Sequence, residues 1–154
     1  VIKQKLLPMA TLITPNLPEM EALTGFPLST YEEKEKAARC LMNSGAKAIL
    51  LKGGHEEGDV KTDILFSNSA TGIQSAMFTS ETVATRNIHG TGCTLSSAIT
   101  AFLARGLALE EAIVEAKKYI SNAIQSGADI AIGHGFGPVN HGFNPLKMIV
   151  HETR

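Results

Sequence analysis

The sequence predicts an α/β domain built on a mostly parallel central sheet. Short apolar runs alternate along the chain with amphipathic helical stretches, which is the pattern of βαβ units. An apolar share of 44% provides enough material for a buried core. Since no linker, repeat or low-complexity segment interrupts the 154 residues, we expect one domain.

The first elements along the chain are a strand and a helix. Residues 10–14 (Ala-Thr-Leu-Ile-Thr) form a short apolar run, which predicts a buried strand. A helix is expected over about 18–24, because Gly25 stands where a helix terminator belongs. The residues that precede them, from Val1 onward, are typical of helical sequence.

A second helix and a strongly apolar strand follow. Thr30 and Glu33 have the spacing of a capping box, which predicts a helix from there to about residue 44. Gly45 then occupies the position after its C-cap. Residues 47–51 are dense in Ile and Leu and predict the next strand.

The rest of the chain predicts strands first and helices later. Residues 63–66 are a second apolar run, and residues 67–89, rich in Ser and Thr, predict strands and a loop. Apolar residues at i, i+3, i+4 spacing predict helices over 95–103 and 109–127. Four glycines among residues 133–142 predict a loop.

Composition and charge exclude several classes of function. Fourteen Lys and Arg balance fifteen Asp and Glu, so no basic field is available for nucleic acid. The apolar runs are too short to span a membrane. Cys40 and Cys93 are far apart, so neither a disulfide framework nor a zinc site is expected, and a reducing cytoplasm is the simplest setting.

The most informative motif is Gly-Thr-Gly-Cys-Thr at residues 90–94, where a loop enters a predicted helix. Its glycines let the backbone approach a ligand, and the helix start offers unpaired N–H groups to an anion. The same field favours the thiolate of Cys93, which suits a nucleophile or a general base. A buried, structural cysteine remains the alternative. Neither a dinucleotide fingerprint nor a Walker loop is present in the sequence.

Polar residues also follow the predicted strands. Lys52 stands at a strand end, where it could meet a phosphate or simply be solvated. Asn16 and Glu19 could hold a hydrated Mg²⁺ or form a capping box. Asp63 could cap a turn or position a nucleotide. The residue pattern leaves these alternatives open.

Four motifs in this order resemble the hydroxymethylpyrimidine and hydroxymethylpyrimidine-phosphate kinases of thiamine biosynthesis, in the ribokinase-like superfamily. Each motif is weak by itself, but the four together are specific. They are Thr-Pro-Asn-Leu-Pro-Glu at 14–19, Lys-Gly-Gly-His at 52–55, His-Gly-Thr-Gly-Cys-Thr at 89–94 and Gly-His-Gly-Phe-Gly-Pro-Val-Asn-His at 133–141.

The resemblance implies a three-layer α/β/α fold and ATP-dependent phosphorylation of a small pyrimidine alcohol and its monophosphate. Cys93 would be the general base, and the backbone of Gly90, Thr91, Gly92 and Cys93 would form an anion hole. Lys52 would neutralise phosphate charge, and Lys117 would lie near ATP. Asn16 and Glu19 would organise Mg²⁺.

The resemblance covers only the later part of the family's domain. The family's N-terminal half, with a Gly-rich first strand and most pyrimidine contacts, has no counterpart in residues 1–154. We therefore expect the nucleotide-binding C-terminal portion of one kinase domain, which needs that half to fold and act. A homodimer is a further expectation. The alternatives are a pyridoxal kinase of the same superfamily and a nucleotide-binding fragment without catalysis.

Overall fold

The computed structural model describes residues 1–53 and 58–144. They belong to two compact units, Val1–Thr82 and Val83–Arg154. In the part of the chain that is described, no helix is both long enough and apolar enough to cross a lipid bilayer.

The first unit opens with helical turns, as the sequence predicts. Two short segments, Ile2–Leu6 and Leu7–Met9, precede helix α1, which spans Leu17–Thr24. Helix α1 ends where Gly25 adopts a φ of 75°. Glycine reaches this left-handed conformation without strain, so the predicted terminator is confirmed.

Helix α2 spans Tyr31–Asn43 and begins with the predicted capping box. The Thr30 hydroxyl accepts the Glu33 N–H at 3.2 Å, and the Glu33 carboxylate accepts the Thr30 N–H at 3.0 Å. Both bonds satisfy amides that the first turn of a helix leaves unpaired. One face of the helix is buried: Ala37, Ala38, Leu41 and Met42.

Three strands form the sheet of the first unit. Strand β1 spans Ala48–Leu51, β2 Val60–Ser69 and β3 Gly72–Glu81, in the order β1-β2-β3. The strand predicted over 47–51 is confirmed. The apolar run 63–66 is the buried middle of the longer strand β2.

The pairing of these strands differs from the mostly parallel sheet that the sequence predicts. Both neighbouring pairs are antiparallel. The connections explain this, because residues 52–59 and 70–71 are shorter than the dozen or so residues that a parallel crossover requires. Among the described residues, parallel pairing is confined to isolated bridges: Ile13 with Ile49, Asn16 with Lys52, and His89 with Pro138.

The prediction of a buried strand over residues 10–14 has to be corrected. The segment is mostly half-buried and joins β1 through two hydrogen bonds of Ile13. The Ile13 N–H donates to the Ala48 carbonyl at 3.1 Å, and the Ile13 carbonyl accepts the Leu50 N–H at 2.8 Å. The next carbonyl, that of Pro15, accepts the Lys52 N–H at 2.9 Å. Pro15 has no N–H to return a bond, so the parallel ladder is interrupted there.

The core of the first unit lies between its helices and one face of the sheet. Ile49 and Leu51 of β1 and Ile64 and Phe66 of β2 contribute alternate side chains to it. The remaining members come from the helices and loops: Leu7, Met20, Leu28, Ala37, Ala38, Leu41, Met42 and Ala46.

The second unit contains two helices that pack against each other. Helix α3 spans Thr91–Ala104 and α4 spans Leu109–Gly127, which confirms both predicted helices. Leu95 and Ile99 are buried, as the helical spacing predicts. Residues 133–142 contain neither helix nor strand, which confirms the predicted loop.

Candidate functional site

The glycine-rich motif forms the entrance of α3, as the sequence predicts. Gly90 precedes the helix with a φ of 85°, a left-handed conformation that a residue with a side chain rarely adopts. Its carbonyl accepts the Thr94 N–H at 2.8 Å, which closes the first helical ring. The chain therefore turns sharply at Gly90 and continues directly into the helix.

This entrance leaves backbone donors for a ligand. Thr91 N–H donates to the Ile88 carbonyl over a long 3.4 Å. The amides of Gly92 and Cys93 belong to the first turn, where a helix supplies no carbonyl partner. No side chain in the described residues caps this end. Unpaired amides at the positive end of a helix dipole form an anion-binding arrangement.

The thiol of Cys93 is exposed at this entrance. The alternative was a cysteine buried in the apolar interior, and in the part of the chain that the structure describes Cys93 is not buried. Thr91 and Gly92 beside it are half-buried. The second unit therefore presents a thiol and two amides together at the start of one helix.

In the first unit, Asn16, Glu19 and Lys52 lie close together. Asn16 and Lys52 form a parallel bridge, and the Lys52 ammonium lies 3.9 Å from the Glu19 carboxylate. Asn16 Oδ1 accepts the Glu19 N–H at 2.8 Å, and Glu19 Oε2 accepts the Asn16 N–H at 2.7 Å. The capping-box interpretation of this pair is confirmed.

The capping box is compatible with a hydrated magnesium ion. The side chain of Glu19 is 56% exposed, so its carboxylate can still face a ligand. Mg²⁺ in nucleotide sites keeps several waters and uses one or two carboxylates together with phosphate oxygens. The donor set around Glu19 fits such an ion. No group of three or more His, Cys, Asp or Glu suited to a metal occurs in residues 1–53 and 58–144.

Asp63 supports the backbone beside Lys52. Its buried carboxylate accepts the Gly53 N–H at 2.9 Å. Of the two interpretations left open by the sequence, this contact corresponds to the turn cap. Gly54 and His55, which complete the motif at 52–55, lie outside the described residues.

Lys117 lies on α4 in the second unit and is only 8% exposed. It shares the buried face of the helix with Ile113, Ala116 and Ile120. Its low exposure indicates that the apolar stem of the side chain is largely removed from water.

The predicted residues thus form two sets. The first unit brings Asn16, Glu19 and Lys52 together with the Asp63 cap, and the second unit holds residues 90–93 and Lys117. A cleft of about 700 Å³ in the second unit is lined by residues 84–87 and 128–135. None of the predicted site residues contributes to its wall.

Sequence reasoning missed one residue near the entrance of α3. Asn87 is a buried polar side chain, 7% exposed, three residues before Gly90. Its hydrogen-bond partners are 40 and 43 residues away in the chain, at Gly127 and Ile130. No local pattern announces such partners. A polar residue three positions before the glycine-rich turn is the one local signal that the sequence offers.

Comparison with known proteins gives a consistent result. The family model described as phosphomethylpyrimidine kinase matches residues 1–140. A hydroxymethylpyrimidine/phosphomethylpyrimidine kinase from Staphylococcus aureus is 46% identical over 142 residues, which cover 91% of this chain and 49% of that protein. A thiamine biosynthesis bifunctional protein from Geobacter sulfurreducens is 47% identical over 92% of this chain and 28% of its own length.

A solved structure shares the fold. Pyridoxal kinase from Staphylococcus aureus, in complex with AMP-PCP and pyridoxal, matches with a TM-score of 0.82 and 33% identity. The match covers 92% of this chain and 51% of that one. The ribokinase-like fold class is thereby confirmed. The chain spans 28% to 51% of the length of these relatives.

Proposed function

Because the chain belongs to the phosphomethylpyrimidine kinase family, we propose that it is part of an enzyme that phosphorylates hydroxymethylpyrimidine and its monophosphate with ATP. The observation that carries the proposal is the exposed Cys93 thiol beside unpaired amides at the start of α3. Residues 1–154 are the nucleotide-binding portion of a single kinase domain. The rest of that domain supplies most contacts to the pyrimidine.

In this proposal Cys93 is the general base for the alcohol. Its thiolate accepts the proton of the substrate hydroxymethyl group, and the oxygen attacks the terminal phosphorus of ATP. The bond from that phosphorus to the bridging oxygen breaks, and ADP leaves with the electron pair. Exposure of the thiol supports this role, because a base must reach the proton that it removes. A reducing compartment such as the cytoplasm keeps it free.

The amides of residues 90–93 stabilise the phosphoryl group during transfer. Phosphoryl transfer gains most of its rate from positioning and from charge stabilisation. Amides held at a helix start need no reorganisation when charge develops on the phosphoryl oxygens. The left-handed Gly90 supports this role, because it turns the chain so that the helix axis begins directly after it.

Lys52, Asn16 and Glu19 serve the polyphosphate. The ammonium of Lys52 neutralises phosphate charge, and Glu19 with Asn16 would hold a hydrated Mg²⁺. When bound, that ion neutralises charge on the phosphate oxygens. Asp63 acts indirectly, since its carboxylate accepts the Gly53 N–H and so fixes the backbone that follows Lys52. Lys117 contributes positive charge toward the nucleotide from α4.

A pyridoxal kinase is the second candidate, because the similar structure from Staphylococcus aureus is named as one. Pyridoxal also carries a hydroxymethyl group on a nitrogen heterocycle, so the same base and amides would serve it. The two functions would differ in the acceptor pocket, and this chain spans only about half of the length of these relatives.

The test is acceptor-dependent ADP release by the full-length protein that contains this chain. We expect ATP consumption with the pyrimidine alcohol and with its monophosphate, and little with pyridoxal. Consumption with pyridoxal alone would replace the proposal by the second candidate. If the protein binds ATP but consumes it with none of these three acceptors, the chain is part of a nucleotide-binding module without catalysis.

A further inference from the structure

Asn87 joins the segment before Gly90 to the loop after α4. Its side-chain amide donates to the Gly127 carbonyl at 2.6 Å and to the Ile130 carbonyl at 2.7 Å. A side-chain NH₂ group has two hydrogens, so both of its donors are used. Asn87 is buried, and each of these bonds would be costly to lose there.

The other side of the Asn87 amide is held against Gly137. A Cβ atom added to Gly137 would lie only 1.9 Å from Asn87 Oδ1 and 2.7 Å from its Cγ. The loop can approach this closely only because residue 137 has no side chain. The residues after α4 therefore contact both the nitrogen and the oxygen end of the Asn87 amide.

The neighbours of Asn87 extend the same connection. Thr85 Oγ1 accepts the Asn87 N–H at 3.1 Å and donates to the Ala128 carbonyl at 2.9 Å. His89 N–H donates to the Gly137 carbonyl at 3.0 Å, within the parallel bridge to Pro138. The segment of alternate residues 85, 87 and 89 is thus tied to the loop up to the residue before Gly90.

We infer that Asn87 is a positioning residue for the glycine-rich turn at residues 90–93, the proposed site of phosphoryl transfer. In the described residues no side chain caps the start of α3, so the direction of its first amides depends on the segment that leads into it. That segment is fixed by Asn87, which acts through the turn and does not touch the substrate. The inference rests on the proposed function, because it assigns Asn87 to the phosphoryl site of that reaction.

The chemistry explains why an amide is needed. Two carbonyl oxygens converge on one side chain, so the side chain must donate twice. A carboxylate would face both oxygens with like partial charge, and an apolar side chain would leave both unsatisfied. Asn is the smallest residue with two donors on one nitrogen.

The test compares Asn87→Asp with Asn122→Asp in the full-length kinase. Asn122 is an exposed asparagine on α4 and serves as the matched control. We expect N87D to lower kcat about 10²-fold for both the alcohol and the monophosphate, because small displacements of reacting groups have effects of that size. The KM for ATP should stay near its original value, and N122D should match the wild type.

A second readout does not require kinase activity. Alkylation of Cys93 by iodoacetamide, followed by mass spectrometry of its peptide, reports the environment of the α3 entrance. We expect N87D to slow this alkylation severalfold and N122D to leave it unchanged. If the wild type phosphorylates none of the acceptors, the proposed function fails, while this readout still tests whether Asn87 positions the entrance of α3.

Thr85→Val keeps the inference testable should N87D not fold. It removes one hydroxyl from the same connection, and we expect the same pattern, a lower kcat with an unchanged KM for ATP and slower alkylation. The inference is overturned if a folded N87D variant has the kcat and the alkylation rate of the wild type. If N87D does not fold, the same result in T85V overturns it. A loss of kcat that follows only from a lower melting temperature would also overturn it.

Discussion

Replacement of Cys93 by alanine should separate the two phosphorylations of the proposed enzyme. The hydroxymethyl group must lose a proton before its oxygen attacks, whereas the oxygens of a phosphate monoester are largely ionised near pH 7, with a second pKa of about 6. A general base is therefore needed for the alcohol and is nearly idle for the monophosphate. Cys93→Ala should impair the first reaction far more than the second.

The size of the effect follows from the position of the thiol. Because Cys93 is exposed in the first turn of α3, its removal leaves no cavity, and the fold should be preserved. The loss is then chemical, and a general base contributes about 10²–10⁴-fold to a rate. That range corresponds to roughly 3–5 kcal/mol of barrier height. The monophosphate reaction should fall by less than about tenfold.

The assay is ADP release by the full-length kinase with each acceptor at saturating ATP. Cys40→Ala is the matched control, since Cys40 is the other free cysteine and lies on α2. We expect this control to match the wild type with both acceptors. Equal losses for the two acceptors in Cys93→Ala, or no loss for either, would refute the reasoning that Cys93 is a base.

Two further predictions concern the first unit. Lys52→Ala should lower kcat/KM for ATP by about 10²–10³-fold, the scale for loss of one preorganised donor to a developing charge. The melting temperature should change little, because the ion pair of Lys52 with Glu19 is long, at 3.9 Å, and the Glu19 side chain is 56% exposed. An unaltered steady-state rate would remove Lys52 from the phosphate site. Asp63→Ala should lower the free energy of unfolding by roughly 1–3 kcal/mol, because the buried Gly53 N–H loses its acceptor. Asp63→Asn, which keeps an acceptor, should be less destabilised in urea titrations, and equal losses would contradict the assignment.

The helices were predictable because their signals are local. Thr30 and Glu33 stand three residues apart and bond to each other's backbone, and Gly25 ends α1 through its own conformation. Each signal lies within one turn of the element that it bounds. Such signals survive whatever the rest of the chain does.

The sheet was less predictable because strand pairing is not local. The ends of β2 are polar, and their strand conformation comes from pairing with β3 along the whole of Val60–Ser69. Residues 10–14 have the composition of a buried strand, but Pro15 interrupts their ladder with β1. Neither outcome follows from the apolar pattern alone.

The candidate site shows the same division. The entrance of α3 was predictable, since Gly90 is the N-cap of the helix and Cys93 lies in its first turn. Asn87 was not, because its partners Gly127 and Ile130 come from the far end of the next helix and its loop. The residues proposed to contact a ligand lie within one motif, whereas the residue proposed to hold that motif in place is recognised only from the fold.

The most direct measurement is protection of the thiol by ligands. The full-length protein is treated with iodoacetamide, with and without saturating AMP-PCP and pyrimidine alcohol, and both cysteine peptides are quantified. If the phosphoryl group meets the alcohol at the start of α3, the bound pair should slow alkylation of Cys93 and leave Cys40 unaffected. Alkylation of Cys93 at the same rate in the ligated protein would contradict the account.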